Sequence, residues 1–164
     1  MGMTILSGNE TSAEIINIAY GMENGLGEFY STVAKRTDNP ELAALLMQLA
    51  KVEEKHKNRL FDLYLSIDPV VSDREKFESG IASELMEGGF TAEDFWEKNG
   101  AAMQTVAGVL NVAMMLEAQA LDLYLRYSRK AKEEKSKSIL YGIAEEEKAH
   151  LTALGNLMEE YSSG

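Results

Sequence analysis

Apolar residues recur every three or four positions over four long stretches of the chain, which is the spacing of one buried face on an α-helix. In the second stretch this face comprises Leu42, Leu45, Leu46, Leu49, Val52, Leu60 and Leu63. The period is that of a helix and not of a strand, so the pattern predicts an all-α fold. The predicted helices cover residues 12–35, 40–66, 103–129 and 134–161.

Residues that favour helix ends support the first two boundaries. The segment Thr11-Ser-Ala-Glu14 has the form of a capping box ahead of the first helix. Asp38, Asn39 and Pro40 predict a sharp turn, with Asn39 as the N-cap of the second helix and Pro40 at its first position. The first two helices should therefore form an antiparallel hairpin.

A long connection over residues 67–102 separates the second helix from the third, and proline and glycine interrupt it. Short helices are predicted within it over 73–86 and 91–97. Two antiparallel hairpins joined by one long crossover is a known connectivity of four-helix bundles, including the ferritin-like ones. We therefore expect a single ferritin-like domain over residues 1–164, with the crossover packed across the bundle.

The two predicted hairpins repeat each other at an offset of 94 residues. Pairs at this offset include Glu23/Glu117, Tyr30/Tyr124, Glu53/Glu147 and His56/His150, together with Thr11/Thr105, Asn17/Asn111, Ala50/Ala144 and Leu60/Leu154. The chain has two histidines, and each follows a glutamate by three residues at equivalent places in the repeat. This indicates a duplicated hairpin and makes chance a poor explanation of the two Glu-x-x-His motifs.

The spacing predicts that the repeated polar residues meet. Residues three apart share one helix face, so each Glu-x-x-His pair can reach one point. Glu23 lies 15 residues before Asp38 and Glu53 lies 15 after it, which gives them equal heights in an antiparallel hairpin. The second hairpin repeats this spacing about Lys132. One layer of the bundle should therefore contain Glu23, Glu53, His56, Glu117, Glu147 and His150.

Apolar neighbours indicate that this layer faces the core. Four buried carboxylates would be prohibitive unless cations neutralised them, and two divalent ions carry the required charge. A Glu from each of two helices and a Glu-x-x-His from each of the others is the ligand set of di-iron and di-manganese bundles. Zinc would fit the same ligands. The competing interpretation is a set of solvated helix glutamates and two ordinary histidines.

Bulk properties narrow the class of protein further. The formal net charge of −11 disfavours binding to nucleic acid or to anionic lipid. The absence of cysteine removes disulfides, thiolate metal sites and cysteine catalysis. The first residues show no secretory signal, and no apolar run approaches transmembrane length. We therefore expect a cytoplasmic protein with no membrane partner.

The repeated motifs resemble the rubrerythrin branch of the ferritin-like di-iron carboxylate superfamily. The resemblance covers residues 10–66 and 103–161, and its motifs are Glu23…Phe29-Tyr30, Glu53-Glu-Lys-His56, Glu117…Leu123-Tyr124 and Glu145-Glu-Glu147-Lys-Ala-His150. It implies two iron ions, a homodimer, and a redox reaction with peroxide, oxygen or ferrous iron. Full-length rubrerythrins also carry a cysteine-ligated iron domain, so this chain would need a separate electron donor. Rubrerythrins tend to have a further glutamate where this chain has Ala120. In rubrerythrins that extra ligand supports a movement of iron during peroxide reduction, and this movement is therefore in doubt for this chain.

Roles follow for each residue of the set. Glu53 and Glu147 would bridge the two ions, while the two histidines and the other two glutamates would be terminal ligands. Tyr30 and Tyr124 would hydrogen-bond the ligand carboxylates from behind, or else be simple core aromatics. The predicted function is a di-iron oxidoreductase, of peroxidase or ferroxidase type. The alternative is a non-catalytic iron- or manganese-binding, storage or carrier protein in which the metal is structural.

Overall fold

The computed structural model describes residues 11–67, 97, 100, 101 and 103–162. Within these residues the chain forms four long helices: α1 (Ser12–Arg36), α2 (Pro40–Ile67), α3 (Val106–Lys130) and α4 (Glu134–Ser162). No strand occurs in this part of the chain, which confirms the predicted all-α class. The crossover predicted over 67–102 falls almost wholly outside the described residues.

The predicted caps of the first two helices are present. Thr11 is the N-cap of α1, and its hydroxyl accepts a hydrogen bond from the backbone N–H of Glu14 at 3.2 Å. The side chain of Asn39 accepts from the backbone N–H of Leu42 at 2.9 Å, which satisfies a donor in the first turn of α2. The turn between the two helices therefore forms where the sequence predicted it.

The third helix begins three residues later than predicted. Thr105 has an extended backbone and caps α3, because its hydroxyl accepts from the N–H of Gly108 at 3.0 Å. The prediction of residue 103 was wrong at this end, since apolar periodicity locates a helix face better than a helix end. Thr105 lies 94 residues after Thr11, so the repeat itself contained the signal for the correct start.

The described residues fall into two compact units. The first contains residues 11–38 and 43–67, and in it α1 and α2 run antiparallel, with Asn24 facing Lys57 and Gly27 facing Glu53. The fully buried apolar side chains of this hairpin include Ile16, Leu26, Phe29, Tyr30, Leu46, Leu60 and Leu63. The helical hairpin predicted for the first half is therefore confirmed.

The second unit contains residues 39–42 and the described residues from 97 onward, and in it α3 pairs with α4. Its core includes Leu110, Leu123, Tyr124, Tyr127, Leu140, Ile143 and Leu154. The side chain of Asn39 also donates a hydrogen bond to the hydroxyl of Tyr161 near the end of α4. Two helical hairpins are thus present, as the four-helix bundle class requires.

One helix of the described residues, α3, is long and apolar enough to cross a membrane by length and composition. The statement that no apolar run approaches transmembrane length was therefore wrong for Val106–Lys130. The core helix of a soluble protein passes the same test. Glu117, near the middle of α3, is fully buried within the protein.

Candidate metal centre

Glu23, Glu53 and His56 form a buried cluster in the first unit, called here the first triad. Glu23 lies on α1, and the other two lie one turn apart on α2. Nδ1 of His56 lies 3.4 Å from Oε2 of Glu23 and 3.3 Å from Oε2 of Glu53. All three side chains are inaccessible to solvent, and one ligand atom from each lies within 4.8 Å of the others. This is a separation that a single metal ion could span.

Local sequence explains how the first triad forms. The three-residue spacing of Glu53 and His56 puts both side chains on the face of α2 that meets α1. Gly27 lies opposite on α1, where an added Cβ would be 3.8 Å from Cβ of Glu53. The two backbones therefore approach closely at the height of the triad, which brings Glu23 within reach of the α2 ligands.

Glu117, Glu147 and His150 form the equivalent cluster in the second unit, called here the second triad. Glu117 lies on α3 and the other two lie on α4. Nδ1 of His150 is 3.2 Å from Oε1 of Glu117 and 3.6 Å from Oε2 of Glu147. The two carboxylates are fully buried and the histidine is 7% exposed. Their ligand atoms also lie within 4.8 Å of one another.

The predicted ligands are thus brought together as two triads of matching composition. In each, the histidine and the glutamate of the facing helix are 33 residues apart in the chain. The residues that repeat in the sequence therefore have the same arrangement in both hairpins. The assignment of all six residues as ligands, and their meeting in one layer, stays a prediction.

The charges of each triad favour a bound cation. With both carboxylates ionised, two negative charges share the site with one imidazole, and the triad is then negative whether or not the histidine is protonated. Burying a charged side chain without a compensating charge costs roughly several kcal/mol. A divalent cation would remove this cost, and a set of carboxylate oxygens and imidazole nitrogens suits iron, manganese and zinc. The residues present therefore fit the metal that the sequence predicted.

Tyr30 and Tyr124 are fully buried at equivalent places in the two hairpins. The ring of Tyr30 packs against Phe29, with centroids 5.8 Å apart and planes tilted by 58°. Burial is compatible with both interpretations of these tyrosines. A hydrogen bond from either hydroxyl to a ligand carboxylate stays a prediction.

Glu54, Glu145 and Glu146 are exposed, as expected for solvated helix charges.

One polar cluster beside the first triad was not predicted from the sequence. Nζ of Lys57 donates to Oδ1 of Asn24 at 3.0 Å and lies 3.0 Å from Oε2 of Glu54. The same ammonium group lies 5.5 Å from the ring centroid of Tyr20. The signal that could have found it is a failure of the repeat, because the residue 94 positions after Lys57 is Leu151.

Helical hairpins that bury Glu/Glu/His triads define the ferritin-like class of carboxylate metalloproteins. A family model described as Rubrerythrin matches residues 13–87 and 108–164, and the chain belongs to this family. The match extends over both hairpins, so it includes every residue of the two triads.

A comparison with solved structures found a similar fold. A hypothetical protein from Pyrococcus furiosus is similar to the chain with a TM-score of 0.68 and 25% sequence identity. The similarity covers 93% of this chain and 91% of that one. Among curated proteins, no sequence matches the chain.

Proposed function

We propose that this chain is a di-iron carboxylate oxidoreductase in which the two triads together hold two iron ions. The observation that carries the proposal is the duplicated, buried Glu/Glu/His geometry, with both histidines within 3.6 Å of two carboxylates each. Membership of the rubrerythrin family supports it independently of the distances. If these carboxylates are ionised, a purely structural role would leave uncompensated negative charge buried in both triads.

In the proposed centre, the residues of each hairpin have distinct tasks. His56 and His150 would supply nitrogen ligands, and Glu23 and Glu117 would supply carboxylates from the facing helices. Glu53 and Glu147 would supply carboxylates from the same helices as the histidines. Because all four glutamates are fully buried, they would hold the ions away from bulk water. Two ferrous ions would supply the two electrons that, with two protons, reduce one hydrogen peroxide to two waters.

The position of Ala120 bears on the choice of oxidant. Rubrerythrins tend to have a glutamate here, whereas Ala120 is fully buried and offers no ligand atom. We propose that the reaction proceeds without exchange of a carboxylate ligand on α3. We therefore propose two reactions for the centre: reduction of peroxide, and oxidation of ferrous iron by oxygen. The surplus of acidic residues, with a net charge of −11, would attract the ferrous ions that such a reaction consumes.

We propose a cytoplasmic homodimer that receives electrons from a separate protein when it reduces peroxide. The charge of the chain supports a donor with a basic surface, because opposite charges accelerate association. The same charge supports the proposal that it binds neither nucleic acid nor membrane.

An anaerobic titration tests the proposal. Metal-free protein should bind two Fe²⁺ ions per chain, and rapid mixing with hydrogen peroxide or with oxygen should then oxidise the centre within seconds. Continued oxidation of excess Fe²⁺ by oxygen would identify a ferroxidase, whereas faster reaction with peroxide would identify a peroxidase. A centre that binds two ions but reacts with neither oxidant would leave only metal binding, and a stoichiometry other than two would contradict the proposed site.

A further inference from the structure

The two triads match in composition, but their immediate surroundings differ. Three polar residues of the first hairpin each follow a triad residue by one position: Asn24 follows Glu23, Glu54 follows Glu53, and Lys57 follows His56. A rotation of about 100° per residue places them along the border of the triad. Lys57 joins them, since its ammonium group contacts both Asn24 and Glu54.

The bond between Lys57 and Asn24 connects the two helices that contribute the first triad. Its donor lies on α2 and its acceptor on α1, 3.0 Å apart. The lysine side chain is 13% exposed and lies against the buried ring of Tyr20, so water competes weakly for it. A charge-assisted hydrogen bond in such a place is stronger than one on the surface. We call this Lys57–Asn24 bond the latch.

The second hairpin lacks the residues that form the latch at the equivalent positions. The residues 94 positions after Tyr20, Asn24 and Lys57 are Met114, Ala118 and Leu151, whose side chains neither donate nor accept as an amide or ammonium does. Ala118 is exposed, and His150 is the one triad residue with measurable exposure among the six. The second triad therefore lacks the interhelical bond that lies beside the first, and its histidine is slightly exposed.

We propose that the latch makes the two metal positions unequal, so that the ion at the first triad exchanges slowly and the ion at the second exchanges quickly. Lys57 and Asn24 act as positioning residues: they keep Glu23 on α1 against Glu53 and His56 on α2. In this proposal the ion leaves the first triad when α1 and α2 separate locally, and that separation requires the latch to break. The inference rests on the proposed function in that each triad holds one ion.

The rate of Fe²⁺ release tests this inference. The loaded protein is mixed anaerobically with the chelator ferrozine, and the colour of the iron–ferrozine complex is followed over time. The native protein should release its two ions in two phases that differ in rate by roughly tenfold, the factor expected for one charge-assisted hydrogen bond. Asn24→Ala breaks the latch and leaves the lysine charge in place, so it should accelerate only the slow phase. Lys57→Leu should do the same, because it reproduces the residue of the second hairpin.

The reciprocal change provides the decisive control. Ala118→Asn combined with Leu151→Lys would install a latch between α3 and α4, and it should slow the fast phase of release. Lys137→Leu removes a lysine from another Lys–Glu pair, three residues apart on α4, and should leave both phases unchanged. Circular dichroism of each variant would verify that the helices are intact.

The outcomes separate this inference from the proposed function. Two bound ions that leave in one phase, or a slow phase that Asn24→Ala does not change, would overturn the latch and leave the di-iron centre standing. Slower release from Lys57→Leu would also overturn it, because the lysine would then act by repelling the cation. A chain that binds fewer than two Fe²⁺ ions would overturn both proposals.

Discussion

Nδ1 of His56 lies 3.4 Å from Oε2 of Glu23, although 33 residues separate them along the chain. His150 and Glu117 repeat this relationship at 3.2 Å across the other hairpin. Each contact joins the two helices of a hairpin at the height where its Glu-x-x-His motif lies. The duplication of the chain has therefore preserved a contact between helices, together with the residues that make it.

Removing one histidine should empty one metal position. His56→Ala and His150→Ala should each reduce bound Fe²⁺ from two ions per chain to about one, because each triad would lose its nitrogen ligand. Elemental analysis after anaerobic loading and desalting would measure this. Lys55→Ala changes an exposed neighbour of His56 and should retain two ions. Retention of two ions by both histidine variants would contradict the ligand assignment.

Neutralising a buried carboxylate should stabilise the metal-free protein and destabilise the metal-bound one. Glu53→Gln removes one of two negative charges that face one imidazole in the first triad. We expect the free energy of unfolding without metal to rise by about 1–3 kcal/mol. With Fe²⁺ present the order should reverse, since the amide is a poorer ligand than the carboxylate.

Glu54→Gln is the matched control for Glu53→Gln. Glu54 is the next residue of α2, and its side chain is 58% exposed. The free energy of unfolding of the Glu54→Gln protein should differ from that of the native protein by less than about 0.5 kcal/mol, with or without metal. Urea denaturation of both variants, with and without anaerobic Fe²⁺, provides the measurement. A metal-free Glu53→Gln protein that is less stable than the native one would show that the buried charge is compensated by protein groups.

The two equivalent helix caps should contribute equally to stability. Thr11→Ala and Thr105→Ala each remove a hydroxyl that accepts a backbone N–H of the first turn, and each should cost about 1 kcal/mol. Thr152→Ala removes an exposed hydroxyl that donates to a carbonyl within α4, so it should change little. Thermal denaturation would compare the three. A cost for Thr152→Ala as large as that of the caps would argue against capping as the cause.

Glycine at the close approach of α1 and α2 should tolerate a methyl group. Gly27→Ala would place a Cβ 3.8 Å from that of Glu53, an ordinary van der Waals contact. Because alanine favours a helix by about 0.8–1.0 kcal/mol over glycine, the variant should be more stable by up to that amount. Chemical denaturation measures this change. Gly27→Val should lack this increase in stability, because its branched side chain needs more room. A Gly27→Ala protein that is less stable than the native one would show that the helices pack more tightly than the distance indicates.

Much of the fold could be predicted from sequence because helix faces, caps and turns depend on neighbouring residues. The helical period located all four helices, and Asn39 with Pro40 located the first turn. The beginning of α3 was missed because apolar periodicity continues ahead of its cap, Thr105. Met47 and Met115 are exposed, and the sequence gives no sign of this, since a methionine in a helix does not show whether another element covers it.

The sequence by itself determined which residues recur with the spacing of metal ligands, because a three-residue interval and an equal distance from a turn are properties of the chain. It also determined the excess of carboxylate over imidazole, which follows from composition alone. Only the tertiary structure decided that the glutamates are fully buried and that each histidine touches a carboxylate from the facing helix. It likewise revealed the Lys57–Asn24 latch. Those facts depend on how closely two helices pack and on which side-chain rotamers that packing allows, and residues 33 positions apart carry no local record of either.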